Sequence, residues 1–62
     1  MSLKDKRQQA GLLQSDIAER LNIDRSTVAK WENGEALPRA NRLVQLAEIY
    51  NCTIEELLVK EG

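Results

Sequence analysis

Gln14-Ser15-Asp16-Ile17-Ala18-Glu19-Arg20-Leu21-Asn22-Ile23-Asp24-Arg25-Ser26-Thr27-Val28-Ala29-Lys30-Trp31-Glu32-Asn33-Gly34 is the stretch whose reading decides the fold. Ile17, Ala18 and Leu21 recur at helical spacing, so a helix is expected from about Gln14 to Leu21. Asn22 follows it, and asparagine tolerates the left-handed conformation that ends helices. Ile23 is expected to pack inward, and Asp24 stands where a helix N-cap would. Val28 and Trp31 then share one side of a second helix, from about Arg25 to Asn33, which Gly34 ends. Only about three residues join the two helices, too few for them to lie side by side, so the second must project at a large angle.

At about 100° per residue the projecting helix has two faces. Val28 and Trp31 fall on the inner one. Arg25, Ser26, Ala29, Lys30 and Asn33 fall on the outer arc, which offers two cations, a hydroxyl, an amide and one methyl. This mixture suits the DNA major groove. The small Ala29 permits close approach and can touch a thymine methyl, and Arg25 can fork onto guanine N7 and O6, with Lys30 doing the same less rigidly. Ser26 can bond a base or a phosphate. Arg25 stands at the N-terminal end, where base edges are met in this arrangement. Trp31 as a base-stacking residue is the weaker reading, because its phase with Val28 places it in the core.

The flanking sequence reads as further short helices. Leu3, Arg7 and Ala10 suggest one from about residue 2 to 10, closed by Gly11. After a loop through Pro38, Leu43, Leu46, Ala47 and Tyr50 mark a helix from about Arg39 to Tyr50. Tyr50-Asn51-Cys52-Thr53 then repeats the grammar of Leu21-Asn22-Ile23-Asp24. Thr53 with Glu56 forms a capping box for a fifth helix, from about Ile54 to Val59. Ile54, Leu57, Leu58 and Val59 exceed what one core-closing face needs, so part of this set is expected at a dimer contact.

With 62 residues, only one proline and an aromatic fraction of 3%, the chain is expected to be a single all-α domain over 1–62 with an aliphatic core. No apolar run is long enough for a membrane span, Met1-Ser2-Leu3-Lys4 has no secretory pattern, and a single cysteine excludes an internal disulfide; a cytoplasmic location is expected. Cys52 fills the slot that Ile23 fills at the matching turn and reads as buried and inert. The net charge of −1 weighs against a polyanion partner. The bases nevertheless gather toward residues 1–39, while Glu48, Glu55, Glu56 and Glu61 make residues 40–62 acidic. Enzymatic chemistry is not expected. The chain has no histidine for general-base work, no Cys/His cluster for a metal and no phosphate-binding glycine loop, so neither a cofactor nor a small-molecule ligand is implied.

The whole pattern resembles the Cro/lambda-repressor-type (Xre) helix-turn-helix family. The match joins Gln14-x-x-x-Ala18, Ile23 to Val28, Trp31-Glu32-Asn33-Gly34, Pro38, Leu43, Leu46, Ala47 and Glu55-Glu56-Leu57-Leu58. The resemblance implies a compact five-helix domain, lambda-repressor-like, with the helix-turn-helix at about 14–33. It also implies a transcriptional regulator, a repressor in the first instance, that binds a palindromic double-stranded operator as a homodimer. It places Arg25, Ser26, Ala29 and Lys30 at base- or backbone-facing positions. Gln14, Asn33, Gly34 and Arg39 fall at phosphate contacts, and Arg7 with Glu32 forms a structural ion pair. The competing class is a protein-interaction module, antitoxin-like or an adaptor, which the net acidity favours.

Two departures from the family pattern carry consequences. Leu13 replaces a hydroxyl N-cap, so the start of the second helix is expected to fray or shift by a residue. Glu35 stands where such loops carry lysine, which weakens attraction to the DNA backbone.

Overall fold

A computed structural model describes residues 2–58. Its helices are α1 (Leu3–Gln9), α2 (Gln14–Leu21), α3 (Arg25–Asn33), α4 (Ala40–Ile49) and α5 (Ile54–Leu58), and the described residues contain no strand. The expected bounds of α2 and α3 are met to the residue. The expected start of α4 is corrected by one position: Arg39 is extended (ψ 163°) and precedes the helix as its N-cap.

The helix ends share one chemical solution. The left-handed residues Gly11, Asn22, Gly34 and Asn51 (φ 71°, 56°, 79° and 53°) follow α1 to α4. Around each, two backbone bonds close in the same register. At the end of α2, Asn22 N–H donates to Glu19 O at 3.2 Å and Ile23 N–H to Ala18 O at 2.9 Å. At the end of α4, Asn51 and Cys52 repeat this onto Glu48 and Ala47 at 3.2 and 3.0 Å. This is the Schellman arrangement, which satisfies carbonyls that a helix end leaves free. At three of the four ends the residue after the left-handed one turns inward, since Leu12, Ile23 and Cys52 pack against the core, whereas Glu35 after Gly34 is exposed.

That core joins Leu3 of α1, Ile17, Ala18 and Leu21 of α2, Val28 and Trp31 of α3, Leu46, Ala47 and Tyr50 of α4 and its end, and Leu57 of α5. Each helix contributes one apolar stripe, and no stripe could leave water without the others. Two expected members differ. Ala10 ends α1 with its side chain exposed, because the chain has begun to turn toward Gly11. Leu57 is fully buried, so it closes the core and leaves the candidate dimer set, and Val59 lies outside the described residues.

The ends of the domain are tied to its body by polar contacts. Ser2 donates its backbone N–H to Leu57 O at 3.1 Å and its hydroxyl to Glu56 O at 2.7 Å, supplying donors to the last carbonyls of α5. Of the expected capping box, Glu56 N–H donates to Thr53 Oγ1 at 3.1 Å, while the Glu56 carboxylate reaches Lys6 Nζ at 3.5 Å. Arg42 of α4 donates to Leu21 O at 3.2 Å, pinning α4 to the end of α2.

Candidate nucleic-acid interface

The three-residue turn Asn22-Ile23-Asp24 sets α3 across α2, with Val28 (1% exposed) and Trp31 (7% exposed) anchored in the core. Helical phase then turns the opposite arc outward. Arg25, Ser26, Lys30 and Asn33 are exposed and Ala29 is half-buried between them. Among the described residues, neither Arg25 nor Lys30 has a salt bridge or a side-chain hydrogen bond. Both cations therefore face solvent. Asp24 occupies the N-cap position of α3 without a side-chain bond, and the cap is made by its carbonyl, which accepts from Thr27 N–H at 3.0 Å.

The start of α2 borders this arc on one side. Leu13 cannot accept a capping bond, yet α2 begins at Gln14 without the expected shift. Asp16 supplies the reciprocal half of a capping box by accepting Leu13 N–H at 2.8 Å, and the backbone Leu13 O, in place of a side chain, accepts from Asp16 N–H at 3.0 Å. Gln14 is half-buried, and its Nε2 donates to Glu32 Oε1 at 3.0 Å.

Beneath that edge lies the expected ion pair. Arg7 Nε meets Glu32 Oε2 at 2.7 Å and Arg7 Nη2 meets Oε1 at 3.1 Å, while Arg7 Nη1 donates to Leu12 O at 2.9 Å. The two side chains are only 10% and 2% exposed. Hydrogen bonding to Glu32 raises the guanidinium pKa above its ordinary value against the opposing effect of burial. The bidentate arginine neutralises this buried acid. Tyr50 lies in the same electrostatic environment. Burial first, and the Glu32 charge second, push its hydroxyl up to about 12.

On the other side, α3 meets the loop and the start of α4. An open groove of about 360 Å³ runs there, lined by Ile23, Thr27, Trp31, Leu37, Arg39, Asn41 and Arg42. Arg39, Asn33 and Gly34 are exposed along this margin, as is Glu35. Thr27, Asn41 and Arg42 were not singled out from sequence. Thr27 is the next position past Lys30 around the helix, so helical phase could have found it; the α4 residues gave no local signal.

Two features lie apart from this surface or escaped the sequence reading. Cys52 is half-buried rather than buried, and burial, with the Glu56 charge behind it, raises its thiol pKa. Leu13 (65%), Leu37 (74%) and Val44 (45%) are exposed large apolar side chains. No group of three or more His, Cys, Asp or Glu among the described residues is placed to hold a metal ion. No described helix is long and apolar enough to cross a membrane.

A family model described as Helix-turn-helix matches residues 3–57, which takes in all of α2, the turn and α3. The chain belongs to the Xre/Cro-type helix-turn-helix family. It is 36% identical over 59 residues to the HTH-type transcriptional regulator ImmR of Bacillus subtilis, covering 95% of this chain and 46% of that protein. It is 36% identical over 50 residues to the HTH-type transcriptional activator BcrR of Enterococcus faecalis, covering 81% and 24%. It is 38% identical over 40 residues to the 26 kDa repressor protein of Escherichia phage HK022, covering 64% and 17%. The chain thus spans less than half the length of each of these relatives. No solved structure matched it.

Proposed function

We propose that this chain is the DNA-binding part of a sequence-specific transcriptional regulator that inserts α3 into the major groove of duplex DNA. The observation that carries the reading is the outward arc of α3. Arg25 and Lys30 are exposed and unpaired among the described residues, with the small Ala29 between them and Trp31 buried behind. In this reading Arg25, Ser26, Ala29 and Lys30 meet base edges. Gln14 holds phosphate on one side of the groove, and Asn33, Gly34 and Arg39 hold it on the other. The work is binding rather than catalysis.

The regulator acts as a repressor, by occupying its operator, and works in the cytoplasm as a homodimer. Exposed Ile54 and Leu58 on α5 support the dimer, since a domain this small gains stability by covering them. A two-fold dimer reads two half-sites about 34 Å apart, so the operator is palindromic.

The test is a salt titration against random-sequence duplex. Binding at low salt that falls steeply as salt rises is expected, because each phosphate contact releases counterions. Absence of any duplex affinity at low salt would leave a protein-interaction module as the function.

A further inference from the structure

The Glu32 carboxylate does more than neutralise Arg7. Its Oε1 accepts from both Arg7 Nη2 at 3.1 Å and Gln14 Nε2 at 3.0 Å, while Oε2 takes Arg7 Nε at 2.7 Å. One carboxylate near the end of α3 therefore holds α1 and the first residue of α2 together. Its side chain is 2% exposed, whereas Gln14 is only half-buried, so Gln14 bridges the sealed pair and the surface. A glutamine amide has two N–H donors and one oxygen. A carboxylate can only accept, so it fixes the nitrogen end of the amide inward and excludes the flipped arrangement, in which two oxygens would face each other. One N–H is used by Glu32, and the second is left at the α2 edge.

We propose that Glu32 is a positioning residue for the α2 side of the interface: anchored by Arg7, its carboxylate orients the Gln14 amide so that its second N–H meets a backbone phosphate. This rests on the reading of the chain as a duplex-DNA binder. It adds to that reading a mechanical link, since the phosphate contact made at the start of α2 is held in register by a group on the helix that reads the bases.

The experiment is a double-mutant cycle on binding to random-sequence duplex at low salt, using Gln14→Ala, Glu32→Gln and both together. Folding is followed by circular dichroism and binding is measured below each variant's Tm. Each single substitution is expected to weaken binding by roughly three- to tenfold, the loss of one hydrogen bond, and Gln14→Ala should leave the salt slope nearly unchanged, because a neutral amide displaces no counterion. The double variant should be no weaker than the weaker single one, because the two remove the same contact.

Glu32→Gln leaves Arg7 without its counter-charge. If that variant does not fold, the wild-type protein gives the answer through the two Nε2 protons of Gln14 observed by NMR. One should exchange slowly with solvent, held by Glu32, and the other should shift when random duplex is added. Wild-type protein that binds no duplex at low salt overturns the functional reading itself. The positioning role alone is overturned if wild type binds and Gln14→Ala has no effect. It is equally overturned if Glu32→Gln leaves affinity intact, if the two losses multiply, or if both Gln14 protons exchange freely.

Discussion

Arg7 and Glu32, separated by 25 positions in sequence, form a two-point ion pair whose carboxylate side chain is only 2% exposed. The pair ties α1 to α3, and through Leu12 O it also fixes the turn that leads into α2. Such a pair adds little stability over an apolar substitute, because both charges have lost their hydration. Its removal from one side is another matter.

Arg7→Ala is expected to cost about 3–5 kcal/mol, by leaving the Glu32 charge buried without a partner. A domain of this length has roughly 3–9 kcal/mol in total, at roughly 0.05–0.15 kcal/mol per residue. The single variant should therefore be largely unfolded or close to it. The double replacement Arg7→Met with Glu32→Leu removes both charges and should be distinctly more stable than Arg7→Ala. Urea unfolding measures both, and equal losses in the two would contradict the burial assigned to this pair.

The turn between α2 and α3 depends on a left-handed residue. Asn22 sits at φ 56°. Asn22→Ala should lower stability by about 1–2 kcal/mol, because a Cβ without a local polar partner disfavours that conformation. Asn22→Gly should be close to neutral, since glycine enters it freely. Thermal melts distinguish the two, and an alanine variant as stable as the glycine one would show that the turn is not held there.

Tyr50 gives the domain an alkaline limit. Its folded-state pKa of about 12 lies above the ordinary value of 10. The neutral hydroxyl is thus favoured by folding, and that contribution is complete below pH 10. As pH rises from 10 toward 12 the unfolded chain releases this proton first, so stability falls, by up to about 1.4 kcal/mol per pH unit. In Tyr50→Phe this part of the alkaline loss should vanish. Unfolding free energies of the two proteins at pH 9 and pH 11.5 provide the check, and parallel losses would refute the assignment.

Arg25 separates base reading from backbone holding. On a site selected from a random duplex pool, Arg25→Ala is expected to cost about 1–3 kcal/mol and to relax one base position. On random duplex its effect should be much smaller. Gln14→Ala should weaken both kinds of DNA alike. Equal loss on selected and random DNA for Arg25→Ala would make Arg25 a phosphate contact instead.

The legible part of this fold was its local grammar. The bounds of α2 and α3, the left-handed Gly11, Asn22, Gly34 and Asn51, and the burial of Trp31 all follow from residue type and from a period that needs no knowledge of neighbours. The ion pair of Arg7 and Glu32 was legible only through likeness to a family, since nothing in the spacing of the two residues brings them together. What escaped were contacts between distant elements. Ser2 caps the carbonyls of α5, and Gln14 turns partly inward to Glu32. Leu57 was misplaced because a five-residue helix shows too few positions for phase to separate a core face from an exposed one. Thr27, Asn41 and Arg42 line one groove because the start of α4 comes up against the end of α2 and faces α3 across that opening, a tertiary fact with no sequence period.

The outward arc of α3 is tested most directly by mapping backbone amide shifts by NMR while duplex carrying a selected site is added to the wild-type protein. The expected result is that the largest shifts cluster at Arg25, Ser26, Ala29 and Lys30, with Gln14, Asn33, Gly34 and Arg39 around them, and that the interior of α1 stays still. Shifts centred elsewhere, or none at all at a salt concentration where binding is seen by another method, would contradict the assignment of this face to DNA.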